Sequence, residues 1–147
     1  MPDQYSRTRL LLGQDGIEKL RNARIALFGL GGVGGYAAEA LARAGVGHMD
    51  LIDDDTISLT NLNRQILATH SSIGKYKVDV AADRIRDIDP SIEVRTFQTF
   101  YLPDTAALFD FSQYDYVLDA IDTVTGKLML IAQAKEAGTP VISCMGT

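Results

Sequence analysis

"RIALFGLGGVGGYAAEALARAG" (residues 24–45) changes character twice along its length. Residues 24–29 are apolar through the middle and stop at Gly29, as a short buried strand of a parallel sheet does. Residues 35–45 are rich in small side chains and end at Gly45, placed to cap a helix C-terminus. Between them Gly29, Gly31 and Gly34 spell G-x-G-x-x-G, with Gly32 and Gly35 added. Such a turn lets phosphates approach the backbone, and the following helix N-terminus offers free N–H groups and a positive dipole end. The plainer alternative is that glycine only permits close helix–strand packing. The flanking strand and helix favour a nucleotide.

The alternation continues outward. A polar helical arm, residues 3–21, precedes the first strand, and "HMDLID" (48–53) is the second. "KYKVDVAADRIRDIDP" (75–90) puts Val78, Ala81, Ala82, Ile85 and Ile88 on one helical face, with Pro90 ending it. "SIEVRTF" (91–97), "YDYVLDA" (114–120) and "PVISCM" (140–145) read as strands, and residues 123–138 as a helix closed by Gly138. Strands alternating with helices predict an α/β fold, a doubly wound, Rossmann-like, mostly parallel sheet with helices on both faces. The 147 residues make one domain. A doubly wound enzyme normally continues past a fifth strand, so residues 1–147 are expected to be an amino-terminal piece truncated at the carboxy-terminal side.

Apolar residues make up 46% and charged residues 22%, an ordinary globular balance that excludes a disordered chain. The net charge of −5 argues against a protein that coats nucleic acid, although residues 1–24 carry five Lys/Arg against three acids. A single cysteine, Cys144, excludes an internal disulfide and a multi-cysteine zinc site within the chain. It reads best as a small buried hydrophobe. No apolar run approaches the ~18 residues of a membrane helix, so a cytoplasmic location is the default expectation.

Chemistry concentrates in "DDDTISLTNLNRQ" (53–65). Asp53 ends the second strand, where a carboxylate hydrogen-bonds ribose hydroxyls, with Asp54 and Asp55 behind it. Arg64 suits forked contact with phosphate oxygens, against the alternative of a surface ion pair with one of the three acids. Asn61 and Gln65 are placed to fix the loop or to meet phosphates. Lys75 and Lys77 open the next helix, where lysine opposes the dipole unless an anion is present. Asp119 and Asp122 close the fourth strand, which borders the first at the switch point, so both are expected to face the glycine turn as hard ligands for Mg²⁺. The competing role for Asp122 is a helix N-cap. His48 and His70 have no identifiable partner, and the aromatic residues show no stacking pattern.

"GLGGVG", "DDDTISLTNLNRQ", "GKYK" and "DAID", in this order, resemble the E1-like adenylating family (ThiF/MoeB/HesA) over nearly the whole chain, from "YSR" to "ISCMGT". The resemblance implies an ATP-binding adenylation domain that uses Mg²⁺ and works as a homodimer. By position it implies Asp53 on the ribose, with Gly31 and Gly32 in the turn under the nucleotide. It gives Asn61, Arg64 and Lys77 to the phosphates and Asp122 to Mg²⁺. Asp55 and Gln65 count with the nucleotide-binding set. Arg7, in "YSRT", matches an arginine inserted into the neighbouring subunit's ATP site; from residues alone it is an exposed helix arginine.

Within that family, Thr60-Asn61-Leu62-Asn63-Arg64-Gln65 and Ala120-Ile121-Asp122-Thr123 depart from the members that activate carrier proteins. They look more like the branch that dehydrates threonylcarbamoyladenosine in tRNA. The implied reaction is adenylation of a carboxylate, with tRNA contacted mostly by parts beyond Thr147. The alternatives are activation of the C-terminal carboxylate of a ubiquitin-like sulfur carrier protein, an NAD-binding oxidoreductase domain, and a binding module without catalysis. NAD explains the glycines and Asp53 but leaves Arg64, Lys77 and Asp122 without a task.

Overall fold

The structure, a computed structural model, describes residues 2–145; Gly146 and Thr147, the end of the "ISCMGT" run, lie outside the described residues. Five strands, β1 (Arg24–Phe28), β2 (His48–Ile52), β3 (Glu93–Phe97), β4 (Tyr116–Asp119) and β5 (Val141–Ser143), form one sheet in the order β3-β2-β1-β4-β5. Every pairing is parallel. The expected doubly wound sheet is therefore present.

Alternation along β1 divides the core. Ile25 and Leu27 face one layer with Met49 and Leu51, covered by α2 (Gly34–Ala44) and α3 (Lys77–Ile88) through Ala38, Ala42, Val78 and Ile85. Ala26 and Phe28 face the other with Val117, covered by α5 (Val124–Ala137) through Leu130 and Ala134. The β3-to-β4 crossover holds no long helix, only α4 (Pro103–Ala106) and a helical turn at Phe111–Gln113. Aromatic rings fill that gap. Phe28 meets Tyr101 and Phe109 edge-on, with centroids 5.1 and 5.3 Å apart. The aromatics that show no pattern along the sequence converge here as core.

The arm is helix α1 (Ser6–Asn22), three residues later in its start than expected from 3–21, and broken at Gly13 (φ 73°). Tyr5 anchors its base: the ring packs on Gly45 and the hydroxyl donates to Asp89. Burial, with Asp89 beside it, pushes that phenol up to about 12. The third helix starts at Lys77 rather than Lys75, because Tyr76 is extended and bridges antiparallel to Thr56. That bridge closes the loop after β2 and brings both its ends to the sheet edge. Among the described residues no helix is long and apolar enough to cross a membrane.

Glu39 ties α2 to α3. Its carboxylate takes Arg84 Nε at 2.5 Å and Arg43 Nε at 2.8 Å, and the Arg84 hydrogen bond above all holds its pKa below the ordinary 4.5. A lowered folded-state value means the pairs contribute stability above 4.5 and lose it as pH falls through the lowered value. Both arginines are well exposed, so screening limits the effect. Glu39→Gln is expected to cost about 0.5–1 kcal/mol at neutral pH by chemical denaturation. The gap from the parent should close on acidification; a gap independent of pH would contradict the ion-pair account.

Candidate functional site

Parallel register aligns the strand ends. Phe28 stands opposite Ile52 on one side and Asp119 on the other, so Gly29, Asp53 and Ala120 leave the sheet at one edge. Gly29 donates its N–H to the Ile52 carbonyl at 2.8 Å, and Ala120 donates to the Phe28 carbonyl at 2.8 Å. A cavity of about 470 Å³ opens there, within the usual range for small-molecule sites.

The glycines divide into two tasks. Gly29 has φ 96°, and a Cβ on it would lie 2.6 Å from the Ala120 carbonyl oxygen. A Cβ on Gly34 would lie 1.8 Å from the Gly29 carbonyl oxygen. Those two permit close packing, and Gly34 does not line the cavity. Gly31 and Gly32 line it, and the nearest atoms to a Cβ on each are 3.7 Å and 3.8 Å away, on Gln65 and Arg64. Of the alternatives in the sequence, Gly34 serves packing, Gly31 and Gly32 serve ligand access, and Gly29, which also lines the cavity, serves both.

One wall is acidic. Asp53 accepts from the Leu30 N–H through Oδ2 and from the Asp55 N–H through Oδ1, each at 2.8 Å. Each oxygen keeps room for a further donor. Burial pushes its carboxyl up despite those bonds. Asp54 is also raised, by burial first and then by Asp55 and Asp53, and its buried Oδ1 has no partner among the described residues. Oxygens of Asp53, Asp54 and Asp55 come within 4.8 Å of one another.

The facing side is cationic and amide-rich. Lys77 is 5% exposed, and its Nζ lies 3.8 Å from Asp55 Oδ2, beyond a hydrogen bond. The Lys77 N–H donates to the Asp55 carbonyl, so the Thr56–Tyr76 bridge is what carries this lysine into the cavity. Arg64 donates to the Thr60 carbonyl at 3.1 Å and to Asn63 Oδ1 at 2.9 Å, and makes no ion pair with the three acids. Asn61 Oδ1 accepts from the Ser58 N–H at 2.9 Å, fixing the loop. Gln65 is 7% exposed, lines the cavity, and its Oε1 has no partner among the described residues.

The third wall, Ala120 to Asp122, follows β4. Asp122 is exposed there, and Thr123, not Asp122, is the N-cap of α5. Asp119 corrects the sequence expectation: it is fully buried, does not line the cavity, and pairs with Lys127 at 3.1 Å. A strand residue one position earlier points to the opposite side from its neighbour, here into the layer under α5. Arg7 lies exposed on α1 and is not among the cavity-lining residues. Lys75 is likewise exposed and outside it. Cys144 is half-buried, and His48 pairs with Glu93 at 3.0 Å.

Sequence reasoning missed Thr99, Phe100 and Tyr101, which complete the cavity after β3. Their residue types carry no signal; their position does, since ligands sit outside the carboxyl ends of parallel strands. The whole suits a ligand with hydroxyls for the acidic wall and several negative charges for Lys77, Arg64 and the glycine turn.

A family model described as ThiF family matches residues 5–147. The chain is 44% identical over 146 residues to the tRNA threonylcarbamoyladenosine dehydratase of Bacillus subtilis, covering 99% of this chain and 58% of that protein. It is 37% identical over 142 residues to the molybdopterin-synthase adenylyltransferase of Escherichia coli, covering 95% of this chain and 57% of the relative. Among solved structures, the Escherichia coli tRNA N6-threonylcarbamoyladenosine dehydratase in complex with ATP superposes with a TM-score of 0.92 at 41% identity. That match covers 95% of this chain and 58% of the other. The chain thus spans little more than half the length of these relatives.

Gly34→Ala tests the packing half of the motif. The added methyl collides with backbone and not with a movable side chain, so a loss of about 3 kcal/mol or more is expected by chemical denaturation. Unchanged stability would mean that the turn is not packed as described.

Proposed function

The chain belongs to the ThiF family, and from that membership we propose that residues 1–147 form an ATP-binding adenylation domain that activates a substrate carboxylate. The observation that carries this reading is Lys77, a buried ammonium held at the cavity wall without a hydrogen-bonding carboxylate. Two phosphates can be met by a glycine turn and a helix dipole, whereas a triphosphate needs added cations. The relative solved with ATP supports the same ligand.

In this reading Asp53 takes the ribose hydroxyls on its free lone pairs, and Gly31 and Gly32 let the phosphates pass close to the backbone. Arg64 and Lys77 neutralise the phosphate oxygens, and Asn61 and Gln65 hold the loop that presents them. Asp55, 3.8 Å from Lys77, keeps that ammonium at the cavity edge until phosphate replaces it. The oxygens of Asp122 and of Asp54, whose buried Oδ1 has no partner, are the hard donors that Mg²⁺ prefers, so the site fits this ion. When bound, Mg²⁺ supplies charge neutralisation on the phosphates.

The substrate carboxylate oxygen attacks the α-phosphorus, forming an O–P bond as the bridging bond to the β-phosphate breaks, and pyrophosphate leaves. Such a carboxylate is already ionised at neutral pH, so no protein base is required. Arg64 and Lys77 serve by orientation and by offsetting charge that develops on the leaving phosphates. Arg7 reaches an ATP site only from a second copy, in a homodimer. The substrate class that agrees with the Bacillus subtilis and Escherichia coli relatives is threonylcarbamoyladenosine in tRNA. The second reading, a sulfur carrier protein's C-terminal carboxylate, rests on the molybdopterin-synthase adenylyltransferase relative. By analogy with these bacterial tRNA-modifying relatives, the proposed location is the cytoplasm.

Arg64→Ala and Lys77→Ala are each expected to weaken Mg·ATP binding at least about tenfold in calorimetric titration, or ~1.4 kcal/mol. Binding indifferent to both would overturn the phosphate assignment, and NAD binding as tightly as Mg·ATP would return the cavity to a dinucleotide. Pyrophosphate release from Mg·ATP stimulated by threonylcarbamoyladenosine-bearing tRNA, and not by a carrier protein with a Gly-Gly end, is the expected outcome for substrate class.

A further inference from the structure

We propose that the first turn of α5 is a brace that sets the cavity wall at residues 120–122, with Lys127 as its positioning residue. Lys127 is buried, with its side chain 9% exposed, yet it does not line the cavity. Its Nζ donates to Asp119 Oδ2 at 3.1 Å and to the Cys144 carbonyl at 2.5 Å. Asp119, wholly buried, also accepts from Ser143 Oγ at 2.6 Å and, through Oδ1, from the Ile121 N–H at 3.1 Å. One carboxylate therefore joins α5, the end of β5 and the main chain of the cavity wall.

The arrangement is costly for a structural tie alone. An ammonium closing the first turn of a helix opposes the dipole, and a buried ion pair repays its desolvation only when its remaining hydrogen bonds are satisfied. Here the Asp119 carboxylate accepts three hydrogen bonds, and Lys127 donates to it and to the Cys144 carbonyl. A second contact, independent of charge, acts on the same residue. A Cβ on Gly126 would lie 2.9 Å from Ile121 Cδ1 and 2.7 Å from Thr123 Oγ1, so the Ile121 side chain rests directly on the helix backbone. The main chain of Ile121 is held through Lys127 and Asp119, and its side chain by Gly126. Ala120, Ile121 and Asp122 line the cavity, while Asp119, Lys127 and Ser143 do not. The brace thus acts on ligand through the wall that it holds.

The ligand half of this inference rests on the nucleotide reading of the cavity, so the test has two arms on the chain and its Lys127→Met, Lys127→Arg and Ser143→Ala variants. The first needs no nucleotide: amide exchange by NMR. Lys127→Met should accelerate exchange at Ile121 by about tenfold or more while the β1 amides keep their protection. The second is Mg·ATP titration, in which Lys127→Met should weaken binding about tenfold and Lys127→Arg should return it to within about threefold of the parent. Should Lys127→Met fail to fold, Ser143→Ala removes one donor from Asp119 and leaves the ion pair; a loss of about threefold in affinity is expected. Unchanged exchange at Ile121 overturns the brace. Faster exchange with unchanged Mg·ATP affinity overturns its action on ligand. If the parent itself does not bind Mg·ATP, the nucleotide reading fails, and the exchange arm still decides the brace.

Discussion

The parallel register of β1 with its two neighbours is the constraint on which the rest depends. Because Phe28 is level with Ile52 and with Asp119, three loops leave the sheet at the same height. Gly29 then has to pass within contact distance of Ala120, and only a residue without Cβ does so at φ 96°. Slip β2 by one residue, and Asp53 exchanges the cavity edge for the opposite face of the sheet. The acidic wall, the glycine turn and the Asp122 wall are consequences of one alignment.

Within that frame the electrostatics are unfinished. Asp53 and Asp54 are pushed upward chiefly by burial, which marks carboxylates with fewer donors than their charge calls for. Lys77 is buried and donates no hydrogen bond to Asp55, and Gln65 Oε1 has no partner among the described residues. Each of these carries a cost that a ligand with hydroxyls, phosphates and a cation offsets. Ordinary packed interiors leave few such groups. Their convergence on one cavity distinguishes it from the groove between α1 and Tyr116, where Asp15, Glu18 and Lys19 rim an apolar floor of Leu20, Ala23 and Ile25.

Much of this was legible in the sequence, for identifiable reasons. The strand–glycine–helix order of residues 24–45 and the period of Val78, Ala81, Ala82 and Ile85 are local signals, and the structure keeps them. Asp53, Arg64, Lys77 and Asp122 share the cavity because motif spacing encodes the topology that joins them. What was not legible is tertiary. The aromatic packing of Phe28, Tyr101 and Phe109 replaces a crossover helix, and residues 98–113 have no period to announce it. Asp119 reads as a second metal carboxylate until β5 and α5 supply Ser143 and Lys127 as its partners. Arg7 is exposed on α1, away from the residues that line the cavity.

A crystal structure of this chain with a non-hydrolysable ATP analogue and Mg²⁺ tests the central claim most directly. The expected complex has ribose hydroxyls on Asp53, the triphosphate over Gly31 and Gly32, and Lys77 Nζ moved from Asp55 onto a phosphate oxygen. A nucleotide bound elsewhere, or bound here with Lys77 and Arg64 still turned away from its phosphates, would contradict the account.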